Sequence, residues 1–140
     1  MDALIDGIKV PQELLGDLKE TNLKKSNDIS LRNNLEQDGY LFLKNVIEPE
    51  KIIKARNDIF KQLNEVKELK DPFADGIASG KSIRDQIHKD RGVYWENLSS
   101  TESLRDITNG NVLENVFKRI FGSSAKGFDF IFLRAVAAGK

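Results

Sequence analysis

The sequence predicts an α+β chain in which helices come first and a strand enters a sheet near the last residues. Apolar residues recur at steps of three and four through residues 49–69 and again through residues 112–120, which is typical of helices. Residues 128–136, between Gly127 and Gly139, are rich in aromatic and β-branched side chains, which predicts a buried strand. Such a strand needs hydrogen-bonding neighbours. We therefore expect residues 1–140 to form a single incomplete domain, the front part of a longer protein.

The first elements are predicted from their terminal residues. Pro11 suits the first turn of a short helix, and residues 20–28 are interpreted as a polar connector. Asp28 is expected to cap a second helix over residues 29–37, which Gly39 ends because glycine tolerates a left-handed backbone. The apolar run of residues 40–47 then predicts a compact strand.

The remaining elements alternate helix and irregular chain. A helix is expected from Pro49 to about residue 69, because proline at the first position favours a helix start. Residues 71–90 predict a long loop with one helical turn, and residues 92–96 a short extended segment. Two further helices are expected: one starts at Ser100 or Thr101 and runs through Ile107, and the other runs from Asn111 until Gly122 stops it.

Composition excludes several classes of function. The 22 basic and 22 acidic side chains give a formal net charge of zero, which argues against nucleic acid as the main partner. There is no cysteine, so disulfides and thiolate metal sites are excluded. No apolar stretch or basic leader predicts a membrane span or a signal peptide, so we expect a cytoplasmic protein. His88 is the single histidine, and a His-based metal site needs more than one.

Two segments in the same order resemble a known family. The first is a helix followed by Asp38-Gly39-Tyr40 and an apolar run, then Glu48-Pro49-Glu50 and a long amphipathic helix. The second is the aromatic-Leu-Arg-Ala-Val run of residues 132–136, followed by small residues and Gly139. This arrangement resembles the opening of the phytanoyl-CoA dioxygenase family, the iron(II)- and 2-oxoglutarate-dependent oxygenases.

The resemblance implies a fold and a chemistry. N-terminal helices would buttress the first strands of a double-stranded β-helix, a jelly-roll barrel cut before its metal motif. The parent protein would be a hydroxylase that uses oxygen and 2-oxoglutarate on a small-molecule substrate, an acyl-CoA ester or a small metabolite. The family's two histidines and one carboxylate, and its arginine for 2-oxoglutarate, would follow the last strand. No catalytic residue or metal ligand is therefore expected within these 140 residues, which alone should be inactive.

The candidate cosubstrate residues lie on that last strand. Strand alternation places Phe130, Phe132 and Arg134 on one face. In the family this strand borders the cosubstrate pocket, so Phe132 and Arg134 are predicted to line it. Arg134 has an equally good structural interpretation, because a charge inside an apolar strand needs a carboxylate partner such as Glu114.

The other candidates have simpler interpretations that we prefer. His88 is interpreted as a loop histidine, and the Tyr94-Trp95 pair as part of the core more readily than as a contact to 2-oxoglutarate. Lys81 and Arg84 could attract an anionic substrate, but a solvated loop is the preferred interpretation. The whole chain also has an alternative function from another class, a stand-alone helical module that binds a protein partner.

Overall fold

The computed structural model describes residues 3–133, and these residues are mainly helical with one two-stranded hairpin. The strands are β1 (Leu4–Ile5) and β2 (Ile8–Lys9). The helices are α1 (Asp28–Asp38), α2 (Pro49–Glu65), α3 (Arg84–Ile87), α4 (Arg91–Ser99), α5 (Glu102–Thr108) and α6 (Asn111–Phe121), with 3₁₀ turns at Gln12–Leu14 and Phe73–Asp75. Within residues 3–133, no helix has both the length and the apolar composition that crossing a bilayer requires.

The chain divides into two compact units, and the first is Met1–Lys44. Its β1 and β2 pair antiparallel, and α1 buries Leu31 completely. Residue 39 is glycine with φ 75°, so the predicted left-handed end of this helix is confirmed. The predicted cap is wrong by one residue: Asn27, not Asp28, accepts a 2.8 Å hydrogen bond from the Ser30 amide, which satisfies a free N–H of the first turn.

The strand predicted over residues 40–47 is not observed. Phe42 makes only an isolated bridge to Glu20, in which the Thr21 amide donates to the Phe42 carbonyl over 2.9 Å. Asn45 then adopts a left-handed backbone with φ 54°, which interrupts an extended run. The prediction fails because an apolar run becomes a strand only where a second strand lies alongside it.

The second unit is Asn45–Lys140, and its core lies between α2 and α4. Val66, Tyr94 and Leu98 are buried there, with Ile59 and Trp95 packed against them. The predicted apolar stripe of α2 is largely confirmed, since Ala55 and Leu63 are also buried. Helix α2 also packs against α5, and α5 against α6.

Helix α4 corrects the extended segment predicted over residues 92–96. The Asp90 side chain accepts hydrogen bonds from the amides of Gly92 (2.7 Å) and Val93 (3.3 Å), and so caps a helix start. Tyr94 and Leu98, four residues apart, then share the buried face. The local cap and the helical spacing outweigh the strand preference of Val-Tyr-Trp.

The loop between α2 and α3 is ordered by backbone pairing. The Lys70 amide donates to Ile77 and the Ser79 amide to Glu68, each over 2.8 Å. At the tip, Gly76 has φ 67° and lies directly against the Phe60 ring of α2. A Cβ at residue 76 would lie 2.5 Å from Cζ of Phe60, so this approach requires glycine.

The strand predicted for residues 128–136 is wrong over its described part, residues 128–133, which form no ladder. Side chains hold two of its carbonyls instead: Asn109 donates to that of Phe128 over 3.1 Å, and Arg105 to that of Asp129. The predicted alternation does remain in the burial pattern, because Phe132 is exposed whereas Leu133 packs against the core. Residues 134–136 lie outside the described part of the chain.

Candidate functional site

Of the two residues predicted to line a cosubstrate pocket, Phe132 is among the described residues and Arg134 is not. Phe132 is 78% exposed, and its neighbour Leu133 turns toward Val66, Tyr94 and Leu98. Arg134 lies outside the described residues. The pocket-lining role of this pair therefore stays a prediction.

One cavity of the second unit is a groove beside α6. It has a volume of about 610 Å³, within the range of ligand sites. Its walls combine an apolar side from α6 with the segment that follows the helix, and its lining includes Leu113, Glu114, Phe117, Phe121, Lys126 and Asp129. The Phe117 and Phe121 rings stack nearly parallel, with centroids 6.0 Å apart. The groove thus offers flat aromatic surface together with one cation, Lys126, and two acids, Glu114 and Asp129.

A polar bridge fixes the far wall of this groove. The Thr108 hydroxyl donates to the Asn109 side-chain oxygen over 2.7 Å, while the Asn109 amide donates to the Phe128 carbonyl. Because both ends of the Asn109 side chain are engaged, this side chain positions the segment after α6.

A polar cluster surrounds Arg84 in the second unit, and we call it the arginine clasp. It consists of Arg84, Glu68, Ser82, Tyr94 and Trp95. Arg84 forms an ion pair with Glu68 in which each side chain is only 18% exposed, and the Ser82 hydroxyl donates to Glu68 over 2.7 Å. The guanidinium lies 4.4 Å from the Trp95 ring centroid and 5.1 Å from that of Tyr94.

The arginine clasp corrects the interpretation of Arg84 as a solvated loop residue. Its charge is paired and stacked, which offsets the cost of removing it from water. Its Nε is buried without a hydrogen-bond partner among the described residues, so the clasp retains an unsatisfied polar group. Sequence reasoning missed it because Glu68 and Arg84 are 16 residues apart and no local pattern joins them.

The aromatic members confirm the core interpretation of Tyr94 and Trp95. Tyr94 is buried, and its hydroxyl donates to the Gln62 carbonyl over 3.3 Å. Burial raises the pKa of the Tyr94 phenol above its ordinary value, because the phenolate would be poorly solvated. His88 packs its ring against Tyr94, with centroids 4.8 Å apart. These contacts describe a structural cluster that attaches the loop to α4.

A smaller cavity of about 300 Å³ lies between α2 and α5. Side chains of opposite charge line this cavity and pair with each other. The Lys51 ammonium lies 2.8 Å from the Asp106 carboxylate, and that hydrogen bond raises the pKa of Lys51. Below it, the buried Ser103 hydroxyl donates to Asp58 over 2.6 Å. Paired charges of this kind join two helices and leave no concentrated charge for an ionic ligand.

Among residues 3–133, no group of three or more histidine, cysteine, aspartate or glutamate side chains is placed to hold a metal ion. Comparison with known proteins returned no match from family models, from curated proteins or from solved structures.

Proposed function

We propose that this chain is the helical N-terminal part of an iron(II)- and 2-oxoglutarate-dependent oxygenase of the phytanoyl-CoA dioxygenase type. The observation that carries the proposal is the order of two sequence segments: Asp38-Gly39-Tyr40 after a helix, and the Leu-Arg-Ala-Val run of residues 133–136 about ninety residues later. The proposed substrate is a small molecule, an acyl-CoA ester or a small metabolite. A cytoplasmic location belongs to the same proposal.

The local structure around the first segment is compatible with it. Helix α1 ends at a left-handed Gly39, and α2 begins at Pro49 with Glu50 in its first turn. An acid there is favourable because it lies near the positive end of the helix dipole. Only the helix end at Gly39 and the helix start at Pro49 support the proposal, because residues 40–47 do not form the strand that the family has between them.

The proposal gives this chain a supporting role. In this proposal the iron ligands follow Lys140, as the family resemblance implies. Iron and 2-oxoglutarate, when bound there, would supply the oxidising chemistry of the parent protein. The core of Val66, Tyr94 and Leu98 would hold the helices against one side of its barrel.

The test is made on the product of the full reading frame that contains these residues. We expect it to form succinate from 2-oxoglutarate in the presence of iron(II) and oxygen, and the 140-residue chain to form none above the background of metal alone. The matched control replaces the first histidine of the downstream metal motif with alanine. A full-length product with no iron-dependent turnover, with or without candidate acyl-CoA substrates, would contradict the proposal.

A second candidate is a stand-alone helical module that binds a protein. The observation in its favour is that α6 leaves Phe117 and Phe121 substantially exposed beside the groove. A reading frame that stops at Lys140, together with a binding partner lost on changing Phe121 to serine, would favour the module. A continuous frame with a His-x-Asp pair would favour the oxygenase.

A further inference from the structure

We propose that the groove beside α6 binds a small zwitterionic aromatic molecule, of the chemical class of the aromatic amino acids. Such a ligand has a flat ring, an ammonium group and a carboxylate group. The lining of the groove contains a complement to each of them: the rings of Phe117 and Phe121, the carboxylates of Glu114 and Asp129, and the ammonium of Lys126. This binding does not depend on the proposed oxygenase function, because the groove is formed by described residues of this chain.

The aromatic wall of the groove is uncovered. The side chains of Phe117 and Phe121 are 42% and 60% exposed, although phenylalanine is among the residues most often buried in folded proteins. Their ring planes differ by only 2°, so the pair presents parallel faces. The ring of a ligand can pack on these faces in an offset stack, and this contact removes apolar surface from water.

The charged side chains of the groove are of both signs and are unpaired. Glu114, Lys126 and Asp129 all line it, and none of them forms an ion pair with another described residue. The smaller cavity between α2 and α5 differs in this respect, because its Lys51 and Asp106 bind each other. A zwitterion complements the unpaired charges of the groove: its ammonium donates to carboxylates, and its carboxylate accepts from an ammonium.

A ligand with a single charge is less complementary to this lining. A flat cation would interact with Glu114 and Asp129 but would leave Lys126 without a partner. An anion such as a phosphate ester would interact with Lys126 but would meet two carboxylates of its own sign, which is unfavourable. The charges of the groove therefore favour a molecule that carries both groups.

The wall that carries Lys126 and Asp129 is held in place by contacts of its backbone. The Asn109 side chain donates to the Phe128 carbonyl over 3.1 Å, and Arg105 donates to the Asp129 carbonyl. A Cβ at residue 127 would lie 2.6 Å from the Asn109 side-chain nitrogen, so the close approach of the two segments requires glycine there. A wall that is already positioned lowers the entropy cost of binding a ligand.

The test is a titration of the 140-residue chain with L-tryptophan, tryptamine and indole-3-propionate, followed by amide chemical shifts in NMR spectra. The three compounds share the indole ring, but tryptamine lacks the carboxylate and indole-3-propionate lacks the ammonium. We expect L-tryptophan to bind at least about threefold more tightly than either of the others, with the shifts centred on residues 113–129. No saturable binding, or equal affinities for L-tryptophan and tryptamine, would overturn the proposal.

Charge variants assign each group of the ligand to its partner. Lys126→Gln should weaken L-tryptophan binding about threefold or more without weakening tryptamine binding, because tryptamine has no carboxylate. Asp129→Asn combined with Glu114→Gln should weaken L-tryptophan and tryptamine binding but not indole-3-propionate binding. The matched control is Lys118→Gln, because Lys118 lies on α6 but does not line the groove, and it should change none of the three affinities. Variants that affect all three compounds alike would overturn the assigned contacts.

A ring variant locates the site. Phe121→Ser should weaken binding of all three compounds about tenfold, because each of them stacks through the same ring. Phe128→Ser is the matched control, since Phe128 is 88% exposed and does not line the groove, and it should leave the affinities unchanged. Circular dichroism should show the same helix content for both variants. Equal losses from the two variants, or no loss from Phe121→Ser, would overturn the proposal.

Discussion

Replacing Gly76 with alanine tests the close packing of the loop on α2. Gly76 has φ 67°, and a Cβ there would lie 2.5 Å and 2.6 Å from two atoms of the Phe60 ring. An alanine in the left-handed region costs about 1–2 kcal/mol, partly offset by the lower entropy of the unfolded chain. Displacing a packed ring adds about 1–3 kcal/mol. We expect Gly76→Ala to lower the free energy of unfolding by about 2–4 kcal/mol, measured by urea denaturation and Trp95 fluorescence.

Gly80 provides the matched control. Its φ is 75°, but a Cβ at residue 80 would meet no atom within 4 Å, so Gly80→Ala should cost only about 1 kcal/mol. The difference between the two variants isolates the contact with Phe60. In a Phe60→Leu background that difference should shrink, as a double-mutant cycle would show. Equal losses from Gly76→Ala and Gly80→Ala would refute the reasoning, because the ring would then move aside freely.

Two further predictions concern the first unit's helix and a surface ion pair. Asn27→Ala should lower helix stability by about 0.5–2 kcal/mol, because it removes the acceptor of the Ser30 amide hydrogen bond. Asn27→Asp keeps a side-chain acceptor and should cost less; amide exchange in α1 measures both, and equal losses would contradict the assigned cap. The hydrogen bond and charge of Arg91 hold the pKa of Asp85 below its ordinary value. The Asp85 carboxylate should therefore stabilise the folded state fully above its unfolded pKa of about 3.9. This stabilisation should be lost as the pH falls through the lower pKa of the folded state. An NMR titration should find Asp85 depressed in the native chain and near normal in Arg91→Gln, and identical pKa values in both would disprove the pairing.

The elements predictable from sequence are those specified by neighbouring residues. Pro49 and the apolar stripe predict α2, and Gly39 and Gly122 both adopt the left-handed backbone expected at helix ends. The Asp90 cap was also a local signal, and reading it with the spacing of Tyr94 and Leu98 would have identified α4. Apolar runs without caps were misassigned to strands, because strand formation depends on a partner that composition does not specify.

The contacts that shape the candidate site were not predictable in this way. The arginine clasp joins Glu68 to Arg84, and the tip of the same loop contacts Phe60 because Gly76 has no side chain. Both contacts depend on how the loop folds back over α2. Residues that are distant in sequence come into contact only in the folded structure. The positions of charged residues and glycines in the sequence therefore do not indicate which of them pair with which partner.

The proposed oxygenase function requires that Lys140 be followed, in a longer protein, by the residues that bind iron. The most direct measurement is the DNA sequence of the gene beyond the codon for Lys140 in its native locus. If the proposed function is correct, an open frame should soon encode a His-x-Asp pair and, later, a second histidine and an arginine. A stop codon immediately after Lys140, or a continuation without that pair, would contradict it.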